Sequence, residues 1–290
     1  MFLKTAHAFL LFLTISFVNH LHAQQNEKSL LWEISGNGLE KPSYLFGTMH
    51  VKDKRVFFFG EGMLSKIRAC EAFAGEIVME KDSIKNELHS FLMPEGITLK
   101  TLLPKKDYKI IRKYARKNLG IYALMINKIK PIFTSALISE KFLHQDVTKN
   151  VDEFLQDYAK KHKVEVLGLE TVKEQMEVLN RYNLNEQAEM LLDQVKNIDE
   201  QKKTIEEMVR LYMGQDLDSL YMLVNESDLP EDFNFSLIDD RNFKMADRMH
   251  ALIRQKTVFV AVGAAHLSGE NGIISLLRQK GYILKPVSVK

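Results

Sequence analysis

The sequence has 290 residues, and its 40 Lys and Arg against 38 Asp and Glu leave a net charge of +2. These charges are dispersed, so the chain carries no electrostatic footprint for nucleic acid. A single cysteine, Cys70, excludes an intrachain disulfide, and the length suffices for one large domain with a sizeable core.

In chain order, Met1 to about Ala23 has the layout of a secretory signal: Lys4, an apolar run from Ala8 to Val18, then small or polar residues with Leu21 and Ala23 before the expected cleavage point. The apolar run is too short for the roughly 20 residues of a membrane-spanning helix. The expected product is therefore periplasmic or secreted, without a stable membrane anchor, and forms one domain over residues 24–290. Leu30 to Ile34 and Tyr44 to Gly47 are short apolar strands joined through Gly36-Asn37-Gly38 and Pro42, as in a hairpin. The second strand runs directly into His50. A helix from about Gly62 to Cys70 precedes a strand-like segment, Phe73 to Met79, that contains Gly75-Glu76.

From Leu99 to about His162 the pattern is helical, with Tyr108, Ile111, Ala115 and Leu119 on one face and a break at Pro131. Lys105-Lys106 and the run from Lys160 to Lys163 read as solvated helix faces. Val164 to Gly168 is a strand, followed by Leu169-Glu170 and by Thr171, which is placed to cap the helix carrying Glu174 and Gln175. Asn185 to about Glu226 is helical with a break at Gly214, and Asp239 to Gln255 is one more helix. Thr257 to Val262, Ile273 to Gln279 and Tyr282 to Val287 then form a strand, helix and strand around a turn-rich loop. The fold class that follows is α/β in the mixed α+β sense: a central sheet from the N- and C-terminal parts, with a helical insertion at about 99–226.

Two short motifs share one context. Gly47-Thr48-Met49-His50 and Gly263-Ala264-Ala265-His266 each place a histidine three residues beyond a glycine, after an apolar strand. Ligands in open α/β sheets bind at the carboxyl ends of strands, and two imidazoles presented there could share one ion. Spacing alone leaves open that both are hydrogen-bonded core histidines. Glu76 and Glu170 are the carboxylates that interrupt apolar strands, where an ionised group needs a partner or a metal. Each could instead be a solvated glutamate at the sheet edge. Arg241 gains nothing from the helix dipole at the start of its helix, so it faces a carboxylate or a substrate oxyanion, or pairs on the surface with Asp239 or Asp240. His-Glu-x-x-His, Gly-x-Ser-x-Gly and Walker motifs are absent.

Tyr44-Leu45-Phe46-Gly47-Thr48-Met49-His50 together with Val260 to Gly269 resembles the TraB/GumN family, whose relatives include Tiki-type metalloproteases. The resemblance extends to Gly168-Leu169-Glu170-Thr171 with Glu174-Gln175, to Asp240-Arg241-Asn242 and to Gly281-Tyr282. It implies a mixed α/β fold with a pseudo-symmetric core and a peptidase that uses a divalent cation such as Mn, Co or Zn. His50 and His266 would be the paired histidines, Glu76 and Glu170 their acidic partners, with Arg241 and Asn242 completing the site. The sequence departs from many members in having Ile77-Val78 after Glu76 in place of an aspartate-containing segment. The expected mechanism has a cation held by His50 and His266 with Glu76 or Glu170, the other glutamate being the general base. Their sequence contexts favour Glu170, at a strand end, as ligand and Glu76, in an apolar run where desolvation raises its pKa, as base. Arg241 stabilises the developing oxyanion of a peptide or protein substrate. The competing expectation is a protein that binds or sequesters a peptide without cutting it.

Overall fold

The computed structural model describes residues 28–80, 85–226 and 229–290; the expected signal segment lies outside them. The strands are β1 (Leu31–Gly36), β2 (Ser43–Thr48), β3 (Ala72–Gly75), β4 (Glu165–Gly168), β5 (Val258–Gly263) and β6 (Tyr282–Val287). They form one sheet in the order β4-β3-β5-β2-β1-β6. β4, β3, β5 and β2 run parallel, and the β1–β2 hairpin and β6 complete the sheet by antiparallel pairing. The hairpin turns where the sequence predicts, with Asn37 and Gly38 at φ of 49° and 80°.

β5 is buried at every residue, as a Val-rich run without polar alternation requires in the middle of a parallel sheet. Its register sets a row of rings across three strands. Phe73 and Tyr44 are both register partners of Phe259, with ring centroids 6.2 Å and 6.3 Å away. Around this row Leu31, Ile34, Phe46, Ile67, Leu155, Met249 and Leu277 form the main core.

The helices are α1 (Glu61–Ala69), α2 (Leu99–Leu102), α3 (Lys105–Asn118), α4 (Pro131–Glu140), α5 (Val151–Lys161), α6 (Val172–Asn180), α7 (Leu184–Lys196), α8 (Ile198–Met213), α9 (Leu217–Asn225), α10 (Glu231–Leu237), α11 (Asp239–Ile253) and α12 (Ile273–Gln279). The middle of the chain is thus helical apart from β4, which it contributes to one edge of the sheet. Pro131 begins α4 instead of interrupting a helix, since at the first helical position its missing N–H costs nothing. Gly214 ends α8, as the sequence predicts. Leu99, Tyr108, Ile111, Ala115 and Leu119 pack with Ile138, Leu191 and Val195 in a second core, which gives the helical region its own apolar centre.

Three local features fix the sheet's carboxyl edge. Asn150 caps α5 and Thr171 caps α6, each in a reciprocal capping box with a glutamate three residues on, Glu153 and Glu174. The turn after β5 lies directly on Gly47, where a Cβ would come within 3.1 Å of Ala264 and would press on that turn. The Gly47 carbonyl also accepts a hydrogen bond from the buried Tyr212 hydroxyl at 2.9 Å.

Candidate functional site

β4, β3, β5 and β2 are neighbours and parallel, so their carboxyl ends lie along one edge of the sheet. Gly168 pairs with Gly75, Gly75 with Ala261, and Gly263 with Thr48. Beyond these four ends come Glu170, Glu76, His266 and His50 in turn, so the topology gathers four residues scattered over the sequence. The strand predicted to run through Met79 stops at Gly75. There the Glu76 carbonyl turns to accept the Glu170 N–H at 2.6 Å, while the Glu76 side chain turns back over β5.

Glu76 is the hub. Its Oε1 accepts the Gly263 N–H at 2.7 Å and lies 3.6 Å from His50 Nε2 and 3.9 Å from His266 Nε2. Its Oε2 accepts from Arg241 Nη2 at 2.5 Å and from Gln175 Nε2 at 3.2 Å. A Cβ on Gly263 would sit 3.2 Å from Glu76 Oε1 and 3.5 Å from His50 Nε2 and His266 Cδ2. The glycine of the second motif therefore keeps open the space on which these three side chains converge.

Each histidine is oriented through its other nitrogen. His266 Nδ1 donates to the fully buried Asn242 Oδ1 at 2.7 Å, and Asn242 Nδ2 donates to the Asn271 carbonyl at 2.9 Å. Burial drives the His266 pKa down to about 4, so the ring is neutral and its Nε2 lone pair faces Glu76. His50 Nδ1 donates to Asp152 Oδ2 at 2.6 Å, and Thr48 Oγ1 donates to Asp152 Oδ1 at 2.6 Å. The Asp152 charge holds the His50 pKa well above its ordinary value. An outer carboxylate or amide that fixes the tautomer of an imidazole is the usual support for a metal-binding histidine.

The geometry separates the two glutamates: Glu76, and not Glu170, is the one beside the imidazoles. Glu170 lies away from the imidazoles, locked to Arg241: Nε reaches its two oxygens at 3.1 Å and 3.0 Å, and Nη2 reaches Oε2 at 2.7 Å. Glu76 is the carboxylate beside both histidines. Nor is its pKa raised. Burial pushes it up, but the neighbouring His50 and the charge of Arg241 hold it well below the usual carboxylate range. Arg241 is likewise engaged already, with Nη1 donating to the Leu237 carbonyl at 3.2 Å and its other donors on Glu76 and Glu170. It clamps two buried carboxylates, and Asp240 pairs with Arg181 instead. Arg241 thus holds Glu76 and Glu170 in place, and Asn242 holds His266.

Two participants have no signal in the sequence read alone. Asp152 sits in the first turn of α5, where an acidic residue is an ordinary dipole partner. Gln175 bridges Glu76 and Glu170 at 3.2 Å to each, from the first turn of a helix whose other polar residues are wet. Beside the cluster opens a cleft of about 250 Å³, with His50, Glu76, Asp152 and Gln175 on its polar side and Ile77 and Met79 among its apolar lining. The atoms able to ligate a cation are His50 Nε2, His266 Nε2 and Glu76 Oε1. Donors on one tetrahedral ion at ~2.0–2.2 Å stand roughly 3.4 Å apart, so the two observed separations from Glu76 are slightly long. Among the described residues, no group of three or more His, Cys, Asp or Glu side chains is placed to hold a metal ion. The donor types and the space that Gly263 leaves between them are of the kind a cation site uses.

The model of the TraB/PrgY/gumN family matches residues 30–286. Among curated proteins the chain is 26% identical over 316 residues to metalloprotease TIKI2 of Danio rerio, covering 90% of this chain and 61% of that protein. It is 24% identical over 321 residues to metalloprotease TIKI1 of Homo sapiens (90% and 63%), and 25% over 327 residues to the metalloprotease TIKI homolog of Amphimedon queenslandica (93% and 64%). The chain spans about three fifths of the length of these relatives. No solved structure matches it significantly.

Proposed function

The chain belongs to the TraB/PrgY/gumN family, and on that premise we propose that it is an exported hydrolase that cleaves peptide bonds with the help of a divalent cation. The observation that carries this reading is the approach of two imidazole Nε2 atoms to one carboxylate oxygen, at 3.6 Å and 3.9 Å, at the edge of a cleft. The names of the metalloprotease relatives supply the reaction class.

His50, His266 and Glu76 would hold the cation. A bound divalent cation supplies Lewis acidity and makes water acidic enough to be nucleophilic near neutral pH. His266 is ready for this role, because Asn242 holds its proton on Nδ1 and burial keeps the ring neutral. His50 must first lose its second proton, while Asp152 retains the one on Nδ1. Arg241 keeps Glu76 ionised and fixed, and Glu170, itself held by Gln175, fixes Arg241. Ile77 and Met79 offer the cleft an apolar wall for substrate side chains.

The test is digestion of a peptide library by the purified chain, with chelator and with Mn, Co or Zn restored. Cleavage that disappears with chelator, returns with one of the ions and is lost in Glu76→Gln supports the reading. Cleavage indifferent to chelator, or no cleavage under any condition, contradicts it. Capture of a peptide without cleavage is favoured by one observation, that no such group among the described residues is placed to hold a metal ion; that alternative predicts saturable peptide binding with intact peptide recovered.

A further inference from the structure

α3 presents two faces of opposite character. Tyr108, Ile111 and Ala115 anchor one in the second core. On the other, Lys109, Arg112, Lys113, Arg116 and Lys117 line a shallow groove of about 450 Å³, at the i, i+3, i+4, i+7, i+8 spacing of a single helical stripe. The acid on this helix, Asp107, pairs with Lys196 instead. Among the described residues none of the five cations forms an ion pair.

Directly after this stripe the chain makes a 3-10 turn, Gly120–Leu124, that displays Ile121 at 75% and Leu124 at 79% exposure, with Tyr122 and Met125 also exposed. These two aliphatic side chains are the most exposed large apolar groups among the described residues. Apolar surface left in water next to a block of unpaired cations marks an interaction site more than a folding requirement. The two features also call for one occupant. A duplex nucleic acid would satisfy the cations but has no use for protruding aliphatics, and an apolar protein groove would take the aliphatics but not five charges. An anionic bilayer accepts both, because lipid phosphates meet Lys and Arg while short apolar tips enter the headgroup boundary.

We infer that the basic stripe of α3 and the Ile121–Met125 turn form a docking surface for an anionic phospholipid bilayer, separate from the His50–Glu76–His266 cluster. Binding through charge pairing and short apolar tips would be peripheral and reversible. Each cation near an anionic surface strengthens binding about fivefold, so reversing two should weaken it by at least ~25-fold. Removing both aliphatic tips, each inserted only in part, should cost at least about tenfold.

The experiment is co-sedimentation of the full chain with vesicles of phosphatidylcholine alone and with vesicles that also contain phosphatidylglycerol. The expected result is salt-sensitive binding to the second kind only, strongly reduced in Arg112→Glu/Arg116→Glu and reduced in Ile121→Ser/Leu124→Ser, with melting temperatures unchanged. Should the charge-reversal variant fail to fold, the tip variant decides alone. Absence of binding to the anionic vesicles overturns the inference, as does binding that neither variant alters. Retention of duplex DNA as strong as that of vesicles, with the tip variant behaving as wild type, assigns the face to a polyanion instead. Tip-dependent self-association without vesicles assigns it to a second copy of the chain, and either result overturns the bilayer.

Discussion

Replacing Arg241 by Met removes the one cation between two nearly dry carboxylates while roughly keeping the side chain's length. The Arg241, Glu76 and Glu170 side chains are 12%, 9% and 2% exposed, and the guanidinium donates to both acids at 2.5–3.1 Å. What remains for the two acids in common is Gln175 Nε2, at 3.2 Å from each. Breaking a buried ion pair by deleting one partner costs about 3–5 kcal/mol, because the other charge is left unpaired in low dielectric. At about 2–4 °C per kcal/mol for a chain of this size, the melting temperature should fall by roughly 6–20 °C. The loss should also depend on pH. Without Arg241 at least one folded-state carboxyl has its pKa raised, so its penalty is absent below the unfolded value of about 4.3 and grows as pH rises past it. Urea melts of wild type and Arg241→Met near pH 7 and about pH 4.5 should therefore differ widely at the first pH and narrowly at the second. Adding Glu170→Gln to Arg241→Met should recover part of the loss at neutral pH. A deficit below about 1 kcal/mol near pH 7, or one equal at both pH values, would refute the clamp.

His266→Ala and His50→Ala should both abolish cation binding but differ in stability. The first leaves the buried Asn242 Oδ1 unpaired and should cost about 1–3 kcal/mol, whereas the second removes a half-exposed ring and should cost less than about 1, as read from thermal melts without metal. Because the folded pKa of His50 is raised, its ion-pair contribution is present below ~6.5 and lost as pH rises through the raised value; Asp152→Asn removes the chief cause and should move the NMR titration of His50 downward. His266 should stay neutral in the same spectra until the pH approaches about 4. Gly263→Ala should keep the fold, at a cost of about 1–3 kcal/mol, and lose most cation affinity by calorimetry, since the new methyl would sit 3.2 Å from Glu76 Oε1. N-terminal sequencing of the protein from an exporting cell should begin near Gln24, and recovery of intact Met1 would contradict export.

The sheet was legible because its signals are local. The β1–β2 hairpin announces itself through Gly36-Asn37-Gly38, and β5 through an unbroken apolar run. The two histidines were legible for the same reason, each following its strand by a fixed offset. Glu76 and Glu170 could be named but not assigned, since each lies beside an apolar strand and only the packing of Arg241 and Gln175 decides which faces the imidazoles. Asp152 was hidden because a first-turn acid has an ordinary explanation, and its link to His50 spans 102 positions of sequence. Desolvation, the sequence-based reason for a raised Glu76 pKa, does act on that residue. It is outweighed by His50 and by a guanidinium whose proximity to Glu76 no local pattern reveals.

The most direct measurement is equilibrium dialysis of the signal-free chain against Mn, Co and Zn, followed by elemental analysis of wild type, His50→Ala, His266→Ala and Glu170→Gln. The expected result is one tightly held ion per wild-type chain, lost in both histidine variants and retained, if weakened, in Glu170→Gln. Wild-type protein that holds no ion, or histidine variants that keep it, would contradict the central claim that His50, His266 and Glu76 form a cation site.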